Sequence, residues 1–198
     1  MEEYSGAFRR ALIGDPPADE EPLRVRRNTA THAARAKPRP MSPAKAEWLV
    51  EHMRQLEAAR MIYRNPQAAF ASVTTAVPKK DTYRGGRLSG ATAVFTLDMR
   101  QRYWQCPLSA GAQELFTMVT ASGLFTPTRV PQGVLNAASY FQGMMGDVLS
   151  SLIGTICLVW RLLRRGLYAA AHKVQFFRRE VRWCGKINSG RTIAHDPK

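Results

Sequence analysis

Apolar and polar positions alternate along the chain with two different periods, and the changes of period mark its elements. Ser42-Pro43 places Ser at an N-cap and Pro at the first helical position. Trp48, Leu49, Met53 and Leu56 then recur at helical spacing, predicting a helix to about Arg60. Lys45 stands where a capping box would carry Glu, so that cap is incomplete. After the turn-forming Asn65-Pro66, Phe70 to Val77 is rich in β-branched residues and puts Val73, Thr75 and Val77 on one face, the pattern of a strand. Ala93 to Leu97 is a second strand, ending at Asp98, and Leu115 to Thr120 with Phe125 to Val130 predict a hairpin around Ser122-Gly123. From Asn136, an N-cap, Tyr140, Phe141, Met144, Met145, Val148 and Leu149 predict an amphipathic helix. Ile153 to Trp160 reads as an apolar strand, Arg161 to His172 as a helix and Val181 to Ile187 as a short strand. Strands and helices are mixed without strict alternation, which predicts an α+β fold.

Residues 1–40 break from this patterning. Asp15, Asp19, Glu20 and Glu21 give way to Arg24, Arg26, Arg27, Arg35, Lys37 and Arg39, with prolines at 16, 17, 22, 38 and 40. Such a segment offers little to bury and is expected to be disordered, a solvated linker whose basic half is also suited to phosphates. The ordered domain is expected over 41–198.

Charge sharpens the picture. The 198 residues carry 29 Lys and Arg against 15 Asp and Glu, a net charge of +14, which calls for an anionic partner. The longest uncharged apolar run, Val148 to Trp160, has 13 residues, short of the roughly 20 that a spanning helix needs, so no membrane partner is expected. Glu2 and Glu3 open a chain without a leader-like apolar stretch, and Cys106, Cys157 and Cys184 are odd in number and widely spaced. The expectation is a reduced, intracellular protein, cytoplasmic or nuclear and not secreted. His32, His52, His172 and His195 show no metal-binding spacing, and there is neither GxGxxG nor a P-loop.

Asp98 closes an apolar strand, where an aspartate can serve simply as a turn cap. Its surroundings suggest more. Phe95-Thr96-Leu97-Asp98-Met99-Arg100-Gln101-Arg102-Tyr103-Trp104-Gln105 resembles the first catalytic motif of the reverse transcriptases of gypsy-type LTR retrotransposons, F-x-x-LD followed by a GYxQ turn. Val130-Pro131-Gln132-Gly133-Val134-Leu135-Asn136-Ala137-Ala138-Ser139-Tyr140-Phe141-Gln142 resembles the second palm motif of that family, in the right order and at the right distance. Upstream, the helix from Ser42, the strand to Val77 and Lys79-Lys80 with Arg84 resemble the fingers. Downstream, Gly166-Leu167, Lys173 and Val181 to Gly185 resemble the lysine-bearing and primer-grip motifs.

The resemblance implies a truncated right hand, with fingers over about 41–92 and an antiparallel palm sheet with packed helices over about 93–198. It implies RNA-directed DNA polymerase ancestry: template-primed nucleotidyl transfer on RNA and RNA/DNA hybrid from dNTPs, with two Mg²⁺ about 3.5 to 4 Å apart. Asp98 would be the catalytic metal ligand. Lys79, Lys80 and Arg84 would clamp the triphosphate. Tyr103 would lie under the incoming sugar, Gln132 and Gly133 against the nucleotide, and Lys173 would complete the nucleotide site. Arg161, Arg164, Arg165, Arg178, Arg179, Arg182, Trp183 and Lys186 form the basic stretch expected to hold nucleic acid.

The pattern also breaks. The family's paired aspartates, on a hairpin after an apolar strand, are absent: Ile156-Cys157-Leu158-Val159-Trp160 is followed directly by Arg161-Leu162-Leu163-Arg164-Arg165. A second joint, Arg84-Gly85, skips the connection from fingers to palm. Arg102 replaces a small residue, and Val174 a cysteine. One carboxylate holds two Mg²⁺ poorly, and Asp147, Glu180 and Asp196 lie where they cannot help. The expectation is a catalytically impaired reverse transcriptase domain. The alternative is a non-catalytic basic remnant that binds nucleic acid. Oligomeric state is not legible in the sequence.

Overall fold

The computed structural model describes residues 6–10, 14–26, 32–75, 94–150, 162–183, 186–189 and 193–195. Helix α1, Pro43–Ala58, starts as the sequence predicts, from an extended Ser42 with Pro at the first helical position. Leu49, Met53 and Leu56 are buried along one stripe, whereas Trp48, one place outside it, is 55% exposed. The helix stops at Arg60, whose φ of 57° is left-handed. There Arg60 N–H donates to Glu57 O and Met61 N–H to Leu56 O, which satisfies the last carbonyls.

Chain reversal at Arg60 starts β2, Ile62–Arg64. With β3 (Ser72–Val73), β5 (Met118–Thr120) and β6 (Gly123–Pro127) it forms a four-stranded sheet in the order β2-β6-β5-β3. The predicted hairpin is β5–β6, paired Met118 to Phe125; residues 114–116 make a 3-10 turn instead of extending it. Phe125, 2% exposed, packs with Leu49, Met53, Leu56, Ile62 and Trp104. The buried Thr117 and Thr126 hydroxyls meet each other at 2.7 Å, and Asn65 Nδ2 donates to Thr126 Oγ1.

After the short helix α2 (Ala110–Gln113), the helix predicted from Asn136 is α3, Ala137–Ser150. Its Ala137, Met144 and Val148 are buried against Cys106, Leu108, Val130, Leu162 and Leu167. Strand β4, Val94–Thr96, pairs antiparallel with β8, Gln175–Arg178. The short β1 (Phe8–Arg9) runs parallel to β7 (Ala169–Ala170). Strands β9 (Glu180–Trp183), β10 (Lys186–Ser189) and β11 (Ile193–His195) form a separate antiparallel sheet.

Three expectations are corrected. The N-terminal segment does not stand free where it is described. Ala18 and Leu23 are buried in the α3 core; Ala18 N–H donates to Gln105 O at 2.7 Å and Leu23 N–H to Pro107 O at 3.0 Å. Two apolar residues with a paired backbone anchor a segment whose composition is otherwise polar. Next, no helix runs on to His172: the helical turn at 162–164 ends at Gly166, φ +62°, where Gly166 N–H donates to Leu163 O and Leu167 N–H to Leu162 O. Finally, Val181 to Ile187 is not one strand but parts of two, β9 and β10, which pair antiparallel with each other. The predicted strand Ile153 to Trp160 lies outside the described residues. Among the described residues no helix is long and apolar enough to cross a membrane.

Candidate functional site

Asp98 follows β4, and Lys173 closes the 3-10 turn Ala171–Lys173 that leads into β8. Antiparallel pairing sets the end of β4 beside the start of β8, and the backbone extends the match: Ala170 N–H donates to Asp98 O, Arg100 N–H to Tyr168 O, and Met99 bridges Ala169. The result is a charge-assisted bond, Lys173 Nζ to Asp98 Oδ2, at 2.6 Å. Both side chains remain about half exposed, so water screens this pair.

Behind it, Gln105 is fully buried and clips two segments together. Its Nε2 donates to Tyr168 O at 2.9 Å and also to Arg100 O, and its Oε1 accepts from Tyr168 N–H at 2.6 Å. Tyr103, beside it, is half-buried, edge-to-face with Phe141 at 6.1 Å. Arg102 closes over both rings, its guanidinium 4.6 Å from the Tyr103 centroid and 5.8 Å from that of Phe141, while its Nη2 donates to the Tyr103 hydroxyl. The sugar-facing ring expected at Tyr103 is therefore covered by the residue that departs from the family pattern.

Among the predicted nucleotide contacts, the structure brings Asp98 and Lys173 together. Gln132 and Gly133 lie exposed in the turn leading to α3; Gly133 has φ +96°, which requires glycine there. Lys79, Lys80, Arg84 and Arg161 lie outside the described residues. Arg164, Arg178 and Arg179 are exposed. Arg165 is engaged, meeting Glu20 at 2.9 Å and Asp19 O at 3.2 Å. Arg182, Trp183 and Lys186 are located by backbone only, in β9 and β10.

Sequence reasoning missed Arg129, which is buried: its Nη1 donates to Trp104 O at 3.1 Å and its Nη2 to Asp15 O, and burial lowers its pKa. An arginine inside the run Phe125 to Val130 was the signal available. Arg9, over the Tyr168 ring at 4.5 Å, gave none.

Among the described residues no three His, Cys, Asp or Glu side chains stand together in a group that could hold a metal ion. Asp98, the acidic residue to which the sequence points, is engaged by an ammonium. This donor set does not fit a two-metal centre.

No protein-family profile matches the chain. The crystal structure of a prototype foamy virus protease-reverse transcriptase mutant superposes on the whole chain with a TM-score of 0.78 at 15% identity, the chain covering 33% of that protein. The fold is that of a reverse transcriptase. Foamy viral protease-reverse transcriptase in complex with an RNA/DNA hybrid superposes on 98% of the chain with a TM-score of 0.79 at 14% identity, and this chain covers 32% of it. The same enzyme bound to double-stranded DNA gives 0.77 at 16% identity over 98% of the chain and 50% of its own.

In sequence, the chain is similar to a retrovirus-related Pol polyprotein and to an RNA-directed DNA polymerase homolog. The Pol polyprotein of the Drosophila melanogaster transposon gypsy is 27% identical over 126 residues, 52% of this chain and 12% of the polyprotein. The RNA-directed DNA polymerase homolog of Oenothera berteroana is 34% identical over 74 residues, 37% of this chain and 52% of that protein. The chain thus spans about half or less of the length of these relatives. The gypsy-type resemblance and the α+β polymerase fold both stand, and the reverse transcriptase fold here is a partial right hand.

Proposed function

We propose that this chain is a retrotransposon-derived reverse transcriptase domain that holds RNA template and RNA/DNA hybrid but does not carry out two-metal nucleotidyl transfer. The observation that carries this reading is the 2.6 Å contact between Lys173 and Asp98. Beside Asp98 the turn that leads into β8 presents a cation, and no second acidic group among the described residues joins it. An ammonium neutralises that carboxylate without offering lone pairs to a metal, and incoming Mg²⁺ would have to displace it.

Nucleic-acid binding is supported by the +14 charge, by exposed Arg164, Arg178 and Arg179, and by the fold shared with a polymerase solved on an RNA/DNA hybrid. Backbone phosphates are the expected contacts, with affinity in the range of about 10⁻⁴ to 10⁻⁶ M and a steep salt dependence.

Primer extension on an RNA template with all four dNTPs and Mg²⁺, run beside an anisotropy titration of RNA/DNA hybrid at two salt concentrations, tests both halves. The expected result is salt-sensitive binding without extension. Extension that disappears in Asp98→Asn overturns the catalytic half, and binding that does not weaken with salt overturns the other.

A further inference from the structure

We infer that the flank of α1 carries a second nucleic-acid site, outside the palm, for a single strand: phosphate in a basic cavity at the start of the helix and a base stacked on Trp48. This inference rests on the reading that the chain binds nucleic acid and says where one class of it binds.

The cavity, about 240 Å³, is lined by Arg39, Pro40, Met41, Ser42, Lys45, Thr74 and Thr75. Two cationic and three hydroxyl-bearing residues line it, with no acidic residue among them. The first turn of α1 holds no acidic residue, and Ser42 makes no side-chain cap bond, leaving its hydroxyl available. Thr74 keeps its Oγ1 shielded from water with no hydrogen-bond partner among the described residues.

Along the helix from Lys45, the residues at three and seven positions further on are Trp48 and His52, on the same flank. Their rings stack, centroids 4.8 Å apart and planes 15° from parallel. Burial lowers the pKa of His52, so the ring beneath Trp48 is neutral near pH 7. Trp48 is 55% exposed, with a neutral aromatic ring supporting it from below. Two acids flank Trp48 on the helix: Glu47 is exposed, and Glu51 is occupied by Arg54 at 2.8 Å and Gln55 at 2.8 Å. A cationic cavity beside an exposed, pre-positioned ring is the combination that holds unpaired nucleotides: phosphate by charge, base by stacking. A duplex keeps its bases stacked within itself and offers none to Trp48.

The test is fluorescence anisotropy of the full chain with labelled oligo(dT) and, separately, with labelled RNA/DNA hybrid. Trp48→Ala is expected to weaken oligo(dT) binding about tenfold and leave hybrid binding unchanged, with Trp48→Phe restoring most of the loss. Arg39→Ala with Lys45→Ala is expected to reduce the slope of log K against log salt for oligo(dT) by about 1.4. Oligo(dT) binding unmoved by Trp48→Ala, or equal losses on both ligands, overturns the inference. Hybrid binding with no oligo(dT) binding by the unsubstituted chain overturns it and leaves the proposed function standing; no binding of either ligand overturns both.

Discussion

The side-chain amide of Gln105 pairs in both directions with the backbone of Tyr168, donating to its carbonyl and accepting from its N–H. These two residues are 63 positions apart, and their pairing ties the turn after Asp98 to the segment that enters β7 and Lys173. Gln105 is 1% exposed, so nothing in solvent replaces it. Leucine at 105 keeps the volume and leaves the Tyr168 N–H and the Arg100 carbonyl without the partner that Gln105 supplies, while the Tyr168 carbonyl keeps the Arg100 N–H. At about 1 to 3 kcal/mol per orphaned group, Gln105→Leu is expected to lower stability by about 2 to 4 kcal/mol. Urea unfolding checks this as a lower midpoint at constant slope. A change under about 0.5 kcal/mol would falsify the clip.

The Asp98–Lys173 pair is expected to behave differently, because its side chains are 52% and 42% exposed. Asp98→Asn and Lys173→Met should each cost less than about 1 kcal/mol, with a double-mutant coupling of about 0.2 to 1 kcal/mol that shrinks at high salt. Its consequence is electrostatic more than structural: it decides what the carboxylate meets. A coupling well above 2 kcal/mol would mean that the pair is desolvated, contrary to the geometry.

The contrast between these two pairs shows where sequence reading succeeds. Leu49, Met53 and Leu56 declared the buried face of α1, and Tyr140 to Val148 that of α3, because helical periodicity is a local signal. Asp98 stood out through the motif around it. Lys173 was named through a motif of its own, but its bond to Asp98 was not, since their meeting depends on β8 pairing with β4, a non-local choice. Gln105 was visible only as a motif letter, although its work is to bond a backbone 63 residues away. Ala18 and Leu23 were hidden by the charge and proline around them, two apolar positions being too few to register as a pattern. Trp48 was read with the core because it lies next to Leu49, and only packing separates the two.

Burial of the N-terminal segment makes Cys106 a reporter. Its thiol is fully buried with Ala18, Leu23 and Leu108, and burial, aided by the charge of Glu20, pushes its pKa up to about 12. A thiol so placed is unreactive toward iodoacetamide at pH 8. Removing residues 1–26, or substituting Leu23→Asp, is expected to uncover it and raise its labelling severalfold, read peptide by peptide in a mass spectrometer so that Cys157 and Cys184 do not interfere. Unchanged labelling of the Cys106 peptide would mean that the N-terminal segment does not cover this core.

Glu20 supplies a pH dependence of definite sign. Its side chain is largely buried and pairs with Arg165 at 2.9 Å, yet desolvation outweighs that partner, and Asp147 and Asp19 add repulsion; its pKa is raised above the usual 4.5. The folded state therefore holds a proton that the unfolded state releases, and stability falls as pH rises from about 4.5 through the folded pKa. Glu20→Gln keeps the shape and removes the charge. It is expected to stabilise the protein at pH 7 relative to pH 4, where the native carboxyl is already neutral and the variant gains little. Thermal melts of both proteins across that range check the sign: an advantage for the variant that grows toward acid pH would show that Arg165, and not desolvation, governs this carboxyl.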